Sequence, residues 1–179
     1  SRLISMGDRE GFSKTYGCLD RTYWGWKFTD FAGARYQEAV YALAYFYKRP
    51  FDKAALEGNE KTLQWARASL KYWQNLQHSD GSFDEAYPRE QSLAATAFTC
   101  FYLGEAYLML IEDLPESDKD SLLDTFFKAG NWLCSNDEKH GILSNHLAVA
   151  AVSLFVIYKI TGDTRFEQRT KYFLNRIYT

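Results

Sequence analysis

Two stretches of the 179-residue chain gather side chains able to do chemistry: the acidic and aromatic run DGSFDEAYPRE, Asp80 to Glu90, and the dipeptide Asn145-His146. An imidazole titrating near neutrality is a proton acceptor suited to the C5 proton of a uronate sugar. An adjacent amide can hydrogen-bond that sugar's carboxylate. Tyr87 is a second group for the proton transfer, so His146, Asn145 and Tyr87 form the candidate catalytic set. Asp84 and Glu85 could act as acid and base, alone or with Asp80. A two-carboxylate glycosidase, however, needs a separation of about 5 to 9 Å across the substrate, which sequence neighbours seldom provide. A third stretch, CLDRTYWGWKFTDF, Cys18 to Phe31, adds cations in Arg21 and Lys27 and stacking rings in Tyr23 and Trp24. With Asp84, Glu85 and Arg89 these are the candidate substrate-binding residues.

Each has a plainer role. Asn145 is a good helix N-cap, Asp80 and Glu90 suit turn and helix capping, and Asp84 can bind backbone or Arg89. Trp26 and Phe83 read as core packing. No Ser-His-Asp, P-loop or metal-ligand spacing is present, and only His78, His140 and His146 exist as histidine bases. No metal or cofactor is expected. Cys18, Cys100 and Cys134 form no CxxC pair and imply neither a disulfide framework nor a zinc site. Cys100 and Cys134 read as buried thiols.

Helices must position these groups. Three segments are apolar almost all round, Tyr36 to Tyr47, Leu93 to Leu110 and Leu147 to Ile160, and need cover on more than one side. Each is followed by an amphipathic segment: Leu63, Ala66, Leu70, Trp73 and Leu76; Leu122, Leu123, Phe126, Phe127, Gly130 and Leu133; Phe166, Thr170, Phe173, Leu174 and Ile177. Pro and Gly punctuate the alternation, with Asp163 an N-cap after Gly162. Nothing reads as a strand. SLKYWQNLQHSDGSF and FKAGNWLCSNDEKHGIL both run from a helix through a tryptophan to a glycine turn, Gly81 to Phe83 and Gly141 to Leu143. RTKYFLNRIYT resembles a third copy, a repeat of about 40 to 60 residues. Buried and amphipathic helices in alternation predict an all-α domain of three hairpins in an α/α toroid or toroid arc. An irregular bundle or solenoid is the alternative. Toroids usually use more hairpins, so the chain is expected to continue past Thr179. In that fold the turn at Asp80 to Glu90, the segment Cys18 to Phe31 and the turn His140 to His146 share one rim.

A formal net charge of −2 and a pI near 5.9 give no electrostatic reason to bind nucleic acid. The longest unbroken apolar run, Leu147 to Tyr158, has 12 residues, too short to span a bilayer. The first residues hold no signal-peptide core.

NHLAVAAVSLFVIYKITGDTRFEQRTKYFL resembles the helix pair of toroidal polysaccharide-processing proteins, the heparinase II/III-like and alginate lyase groups. That resemblance implies an Asn that neutralises a uronate carboxylate and a His or Tyr as base. Asn145 and His146 match the dipeptide, and Tyr23 and Tyr87 are candidates for the tyrosine. LKYWQNLQHSDGSF is similar to the Gln-Trp repeat of terpenoid cyclases, with Gln77, Gly81 and Phe83 at the Gln, Gly and aromatic positions; that repeat is a structural staple, and no DxDD acid motif accompanies it. The runs LDRTYWGWKFTDFAGARYQEAVYALA and DGSFDEAYPREQSLAATAFT resemble bacterial proteins of surface-polysaccharide gene clusters. The expectation is a domain that binds an acidic polysaccharide or oligosaccharide and cleaves it by β-elimination. A toroid glycosidase or isoprenoid enzyme, and a non-catalytic glycan-binding or scaffold domain, stand as alternatives. Localisation stays open, with a bacterial cytoplasm favoured.

Overall fold

The computed structural model describes residues 2–49, 59–139 and 144–178. Among them are seven α-helices: α1 (Arg2–Ser5), α2 (Val40–Lys48), α3 (Glu60–Leu76), α4 (Leu93–Leu110), α5 (Glu116–Ser135), α6 (Ser144–Thr161) and α7 (Thr164–Tyr178). A 3₁₀ turn, Ala34–Ala39, leads into α2, so the first buried segment is not one continuous α-helix as its composition suggests. The described residues hold no strand, only an isolated bridge between Phe83 and Ser92.

Helix starts follow local chemistry. The Asn59 side chain accepts the amides of Lys61 and Thr62 at the head of α3, and Ser92 accepts that of Ala95 at the head of α4. Asp163 accepts the Arg165 amide at 3.0 Å and starts α7 as expected. α6 begins at Ser144, so Asn145 lies inside its first turn rather than at its cap.

Helices α2/α3, α4/α5 and α6/α7 form three hairpins. α4 packs on both α2 and α6, while α3, α5 and α7 contact one another in chain order outside them. Burial follows these layers. α4 is buried nearly all round, through Ala95, Cys100, Leu103, Ala106 and Leu110, whereas α3 buries Leu63, Ala66, Leu70 and Trp73 and exposes Lys61, Gln64 and Lys71. α6 departs from the all-round burial expected of it. Val152 and Phe155 are exposed because α4 is its one inner neighbour among the described helices. Leu123, Phe127 and Leu174 are likewise exposed on the outer helices.

Leu93–Asp113 and Ser144–Thr161 have the length and apolarity to cross a membrane, which the shorter unbroken run had obscured. Isolated Thr, Gly, Ser and Lys residues interrupt the runs without lowering their mean hydropathy enough to matter. In this fold both helices form the core. Cys18 and Cys100 are buried and Cys134 half-buried; burial pushes the Cys18 thiol up to about 11.

The repeat is visible in hydrogen bonds. At Gly81 (φ +99) the turn lies so close to α5 that an added Cβ would fall 2.3 Å from the Lys128 carbonyl oxygen. At Gly17 (φ +90) the same close approach is made to Ala68 of α3, at 2.2 Å. A glutamine amide pins each turn: Gln77 donates to the Gly81 and Thr125 carbonyls at 3.1 and 2.9 Å, and Gln37 to those of Gly17 and Ser69 at 3.1 and 2.9 Å. Trp73 stacks on Phe83 at 4.8 Å, which places Phe83 in the core as expected. The Gly17 turn is a further copy, not among those expected from the sequence, and the Gly141 to Leu143 copy lies outside the described residues.

Candidate functional site

The loop Asp80 to Ser92 is held in shape by its own carboxylates. Asp80 accepts the Ser82 amide and hydroxyl at 3.0 and 2.6 Å. Asp84 accepts the amides of Arg89 and Gln91 at 2.7 and 2.9 Å, and Glu90 those of Glu85 and Ala86 at 2.9 and 2.7 Å. These bonds offset the left-handed backbone at Arg89 (φ 64) and Gln91 (φ 51). The amides of Arg89 and Gln91 thus engage both Asp84 oxygens in holding the loop, and His78 Nε2 lies 2.9 Å from Asp84 Oδ2 without the alignment of a hydrogen bond. Glu85 instead reaches across to Arg35, at 3.1 Å. The Arg35 guanidinium, also paired with Glu38, lies 4.0 Å above the Phe98 ring. Phe98 in turn meets His146 edge-to-face at 6.5 Å.

His146 stands in the first turn of α6, where the helix dipole favours a bound anion. Its Nδ1 lies 2.6 Å from the Glu138 carboxylate, whose side chain is only 3% exposed. A carboxylate on Nδ1 fixes the proton there and leaves Nε2 as the basic nitrogen. The strand of chain that carries Glu138 is latched to α7. Asp137 accepts the Tyr172 hydroxyl at 2.7 Å and pairs with Arg176, and Arg169 donates to the Asn136 carbonyl at 2.8 Å. Burial pushes the Asp137 carboxyl up, but the Tyr172 hydroxyl, the Glu138 amide and Arg176 together outweigh it and hold it below the ordinary range.

Between the two loops lies a cavity of about 310 Å³, walled by Glu85, Tyr87 and Glu90 on one side and by Trp132, Glu138 and His146 on the other, with Lys139 also on its lining. Thus the structure brings His146, Tyr87 and Glu85 together. Asn145 is exposed beside His146, and neither it nor Asp84 or Arg89 lines the cavity. Arg21, Tyr23, Trp24 and Lys27 do not line it either. Arg21 donates to the Ser5 carbonyl at 3.1 Å and the Trp24 indole to that of Met6 at 3.1 Å. Tyr23 packs on Cys18, Ala32 and Tyr72, and Lys27 ends a π-helical turn, Thr22–Trp26, in a left-handed conformation. Trp26 is 58% exposed rather than in the core, near-parallel to Phe28 at 6.2 Å. Just past the segment, the Ala34 amide donates to the Asp84 carbonyl of the acidic loop at 3.3 Å.

Sequence reasoning missed Glu138, Arg35 and Lys139. Glu138 precedes His146 by eight residues across a turn, a spacing with no helical signature, and its only signal was an acid beside the candidate base. His140, in the same turn, lies outside the described residues. Among the described residues no group of His, Cys, Asp and Glu has the arrangement of a metal site.

A family model described as the ulvan lyase N-terminal domain matches residues 26–179. No curated protein matches the chain, and no solved structure does.

Proposed function

The chain belongs to the ulvan lyase N-terminal domain family, and from that premise we propose that it is an arc of an α/α toroid that binds an acidic polysaccharide in the cavity beside His146 and cleaves it by β-elimination. The observation that carries this reading is the Glu138–His146 pair at the cavity wall, opposite Tyr87.

In the proposed reaction His146 Nε2 removes the C5 proton of a uronate. The carbanion's electrons form a C4–C5 double bond as the C4–O bond to the leaving sugar breaks, and the Tyr87 hydroxyl delivers a proton to the departing oxygen. Glu138 stabilises the imidazolium formed in the first step. The first-turn amides of α6 hydrogen-bond the uronate carboxylate, which acidifies C5, and Asn145, exposed beside His146 and off the cavity lining, would take that carboxylate only if the sugar extends past the cavity rim. Lys139 offers a cation at the lining. The cavity's own carboxylates do not repel an anion as strongly as their number suggests, because each has partners: Arg35 for Glu85, backbone amides for Glu90, Arg176 and Tyr172 for Asp137, His146 for Glu138. Arg21, Lys27 and Arg89, exposed outside the cavity, fit contacts to outlying sugar units better than to the reacting one, whereas Tyr23 and Trp24 are taken up by packing and the Met6 carbonyl.

Incubation with ulvan should generate an unsaturated product absorbing in the ultraviolet, and His146→Ala should abolish it. Product formation unchanged in that variant would remove His146 as base. Carboxylates on both cavity walls favour one second reading, a glycoside hydrolase. It predicts new reducing ends without ultraviolet absorbance.

A further inference from the structure

We propose that the groove between the Gly17 turn and α3 is a second, non-catalytic binding site for an anionic glycan. The groove has a volume of about 400 Å³ and shares no lining residue with the cavity at His146. Its floor is one stripe of α3, Gln64, Arg67, Lys71 and Asn75, at helical spacing. Its other wall is Lys14 and Tyr16, brought onto that stripe because the Gly17 turn sits against Ala68 and Gln37 pins it there.

The chemistry is that of a sugar site with charge. Lys14 and Lys71 are exposed and enter no ion pair with the described residues. Arg67 is held by Asp118 at 2.9 Å, the one carboxylate on the lining. The amides of Gln64 and Asn75 can each donate and accept toward hydroxyls, and the half-buried Tyr16 ring offers a stacking face. Two free ammonium groups over paired amides therefore select a carboxylated or sulfated sugar over a neutral one.

The internal repeat provides a control within the molecule. Counting from the matched contacts, Gly17 on Ala68 and Gly81 on Lys128, sets His78 and Asp80 against Lys14 and Tyr16, and Asp124, Phe127 and Asn131 against Gln64, Arg67 and Lys71. In that copy the single lysine, Lys128, is already paired with Asp124 at 2.5 Å. The same fold is thus built without the cationic groove, so the repeat architecture does not require Lys14 and Lys71. Lys14 and Tyr16 also precede the family-matched residues 26–179. The choice of a glycan over another polyanion rests on the function proposed above; the groove's charge and shape do not.

Affinity electrophoresis tests the site. The intact chain, its Lys14→Glu/Lys71→Glu and milder Lys14→Gln/Lys71→Gln variants, and Lys61→Glu from the exposed start of α3 are run through gels containing ulvan, a neutral glucan or poly-glutamate. Ulvan should retard the native chain and Lys61→Glu alike, and the groove variants should show an apparent affinity about tenfold weaker. The glucan should retard none. Equal retardation of native and groove variants, or no retardation by ulvan at all, would overturn the proposal. So would poly-glutamate binding the groove as tightly as ulvan, which would make it a polyanion or acidic-protein site. Ultraviolet product release is read separately, so loss of the groove and loss of the His146 reaction remain distinguishable.

Discussion

His146 Nδ1 and Glu138 Oε2 lie 2.6 Å apart at the wall of a cavity, with Glu138 almost fully covered. Glu138→Gln keeps the shape but can offer an N–H where the carboxylate accepted one, which pushes the imidazole proton toward Nε2 and removes the base. The expected outcome is a loss of at least about 100-fold in turnover, with a change of His146 tautomer visible in ¹⁵N NMR of the free protein. A tautomer that stays put in Glu138→Gln would remove Glu138 from the positioning role, whatever happens to turnover.

The latch on α7 should be separable from the dyad. Tyr172→Phe removes one hydrogen bond to Asp137 at a cost of about 1 kcal/mol. Combined with Arg176→Met it should speed amide hydrogen exchange at 136–139 while exchange in α4 stays slow. Uniform acceleration across the domain would show that the latch acts on global stability and not on the loop.

The helix pairs were legible because their signals are local. Leu63 to Leu76 repeats at helical spacing, and Leu93 to Leu110 is apolar on every face, so amphipathic and buried helices could be told apart. The Gln77, Gly81 and Phe83 staple could also be seen, since a positive-φ glycine and a buried ring are fixed by residue type. The Glu138–His146 and Arg35–Glu85 pairs could not, because each joins a loop to a helical turn through geometry that no spacing encodes. Trp24 and Tyr23 looked like sugar platforms by type alone. Their contacts to Met6 and Cys18 depend on how the N-terminal segment folds back, and that is a tertiary property.

The staple makes a graded prediction about glycine. Gly81→Ala meets both a positive φ and the Lys128 carbonyl, whereas Gly162→Ala, at φ +74, meets nothing within 4 Å. Gly162→Ala should cost about 1 kcal/mol, the left-handed penalty alone. Gly81→Ala should cost more than about 3 kcal/mol by denaturant unfolding, since the turn must leave α5. Equal costs would mean that the turn has room to shift and that the Gln77 bonds do not hold it.

Acid should unfold the domain in a direction set by its carboxylates. Burial pushes Asp8, Asp80 and Asp137 up, but hydrogen bonds from Ser13 and Thr15, from Ser82, and from Tyr172 and Arg176 prevail and hold all three below the ordinary carboxylate range, and the Arg165 hydrogen bonds lower Asp163 as well. A carboxylate with a lowered folded pKa stabilises the fold above its unfolded pKa, and that contribution is lost as pH falls through the folded value. Glu38 works the other way: burial, only partly opposed by Arg35, raises it above the ordinary carboxylate range, so its contribution is present at lower pH and fades as pH rises. Four groups against one predict a melting temperature that drops as pH falls below about 4. Asp137→Asn should lower the melting temperature at neutral pH and flatten that drop, because the group that titrates is gone. A drop as steep in Asp137→Asn as in the native chain would show that the Tyr172 and Arg176 contacts contribute nothing to the folded state's preference for the ionised carboxylate.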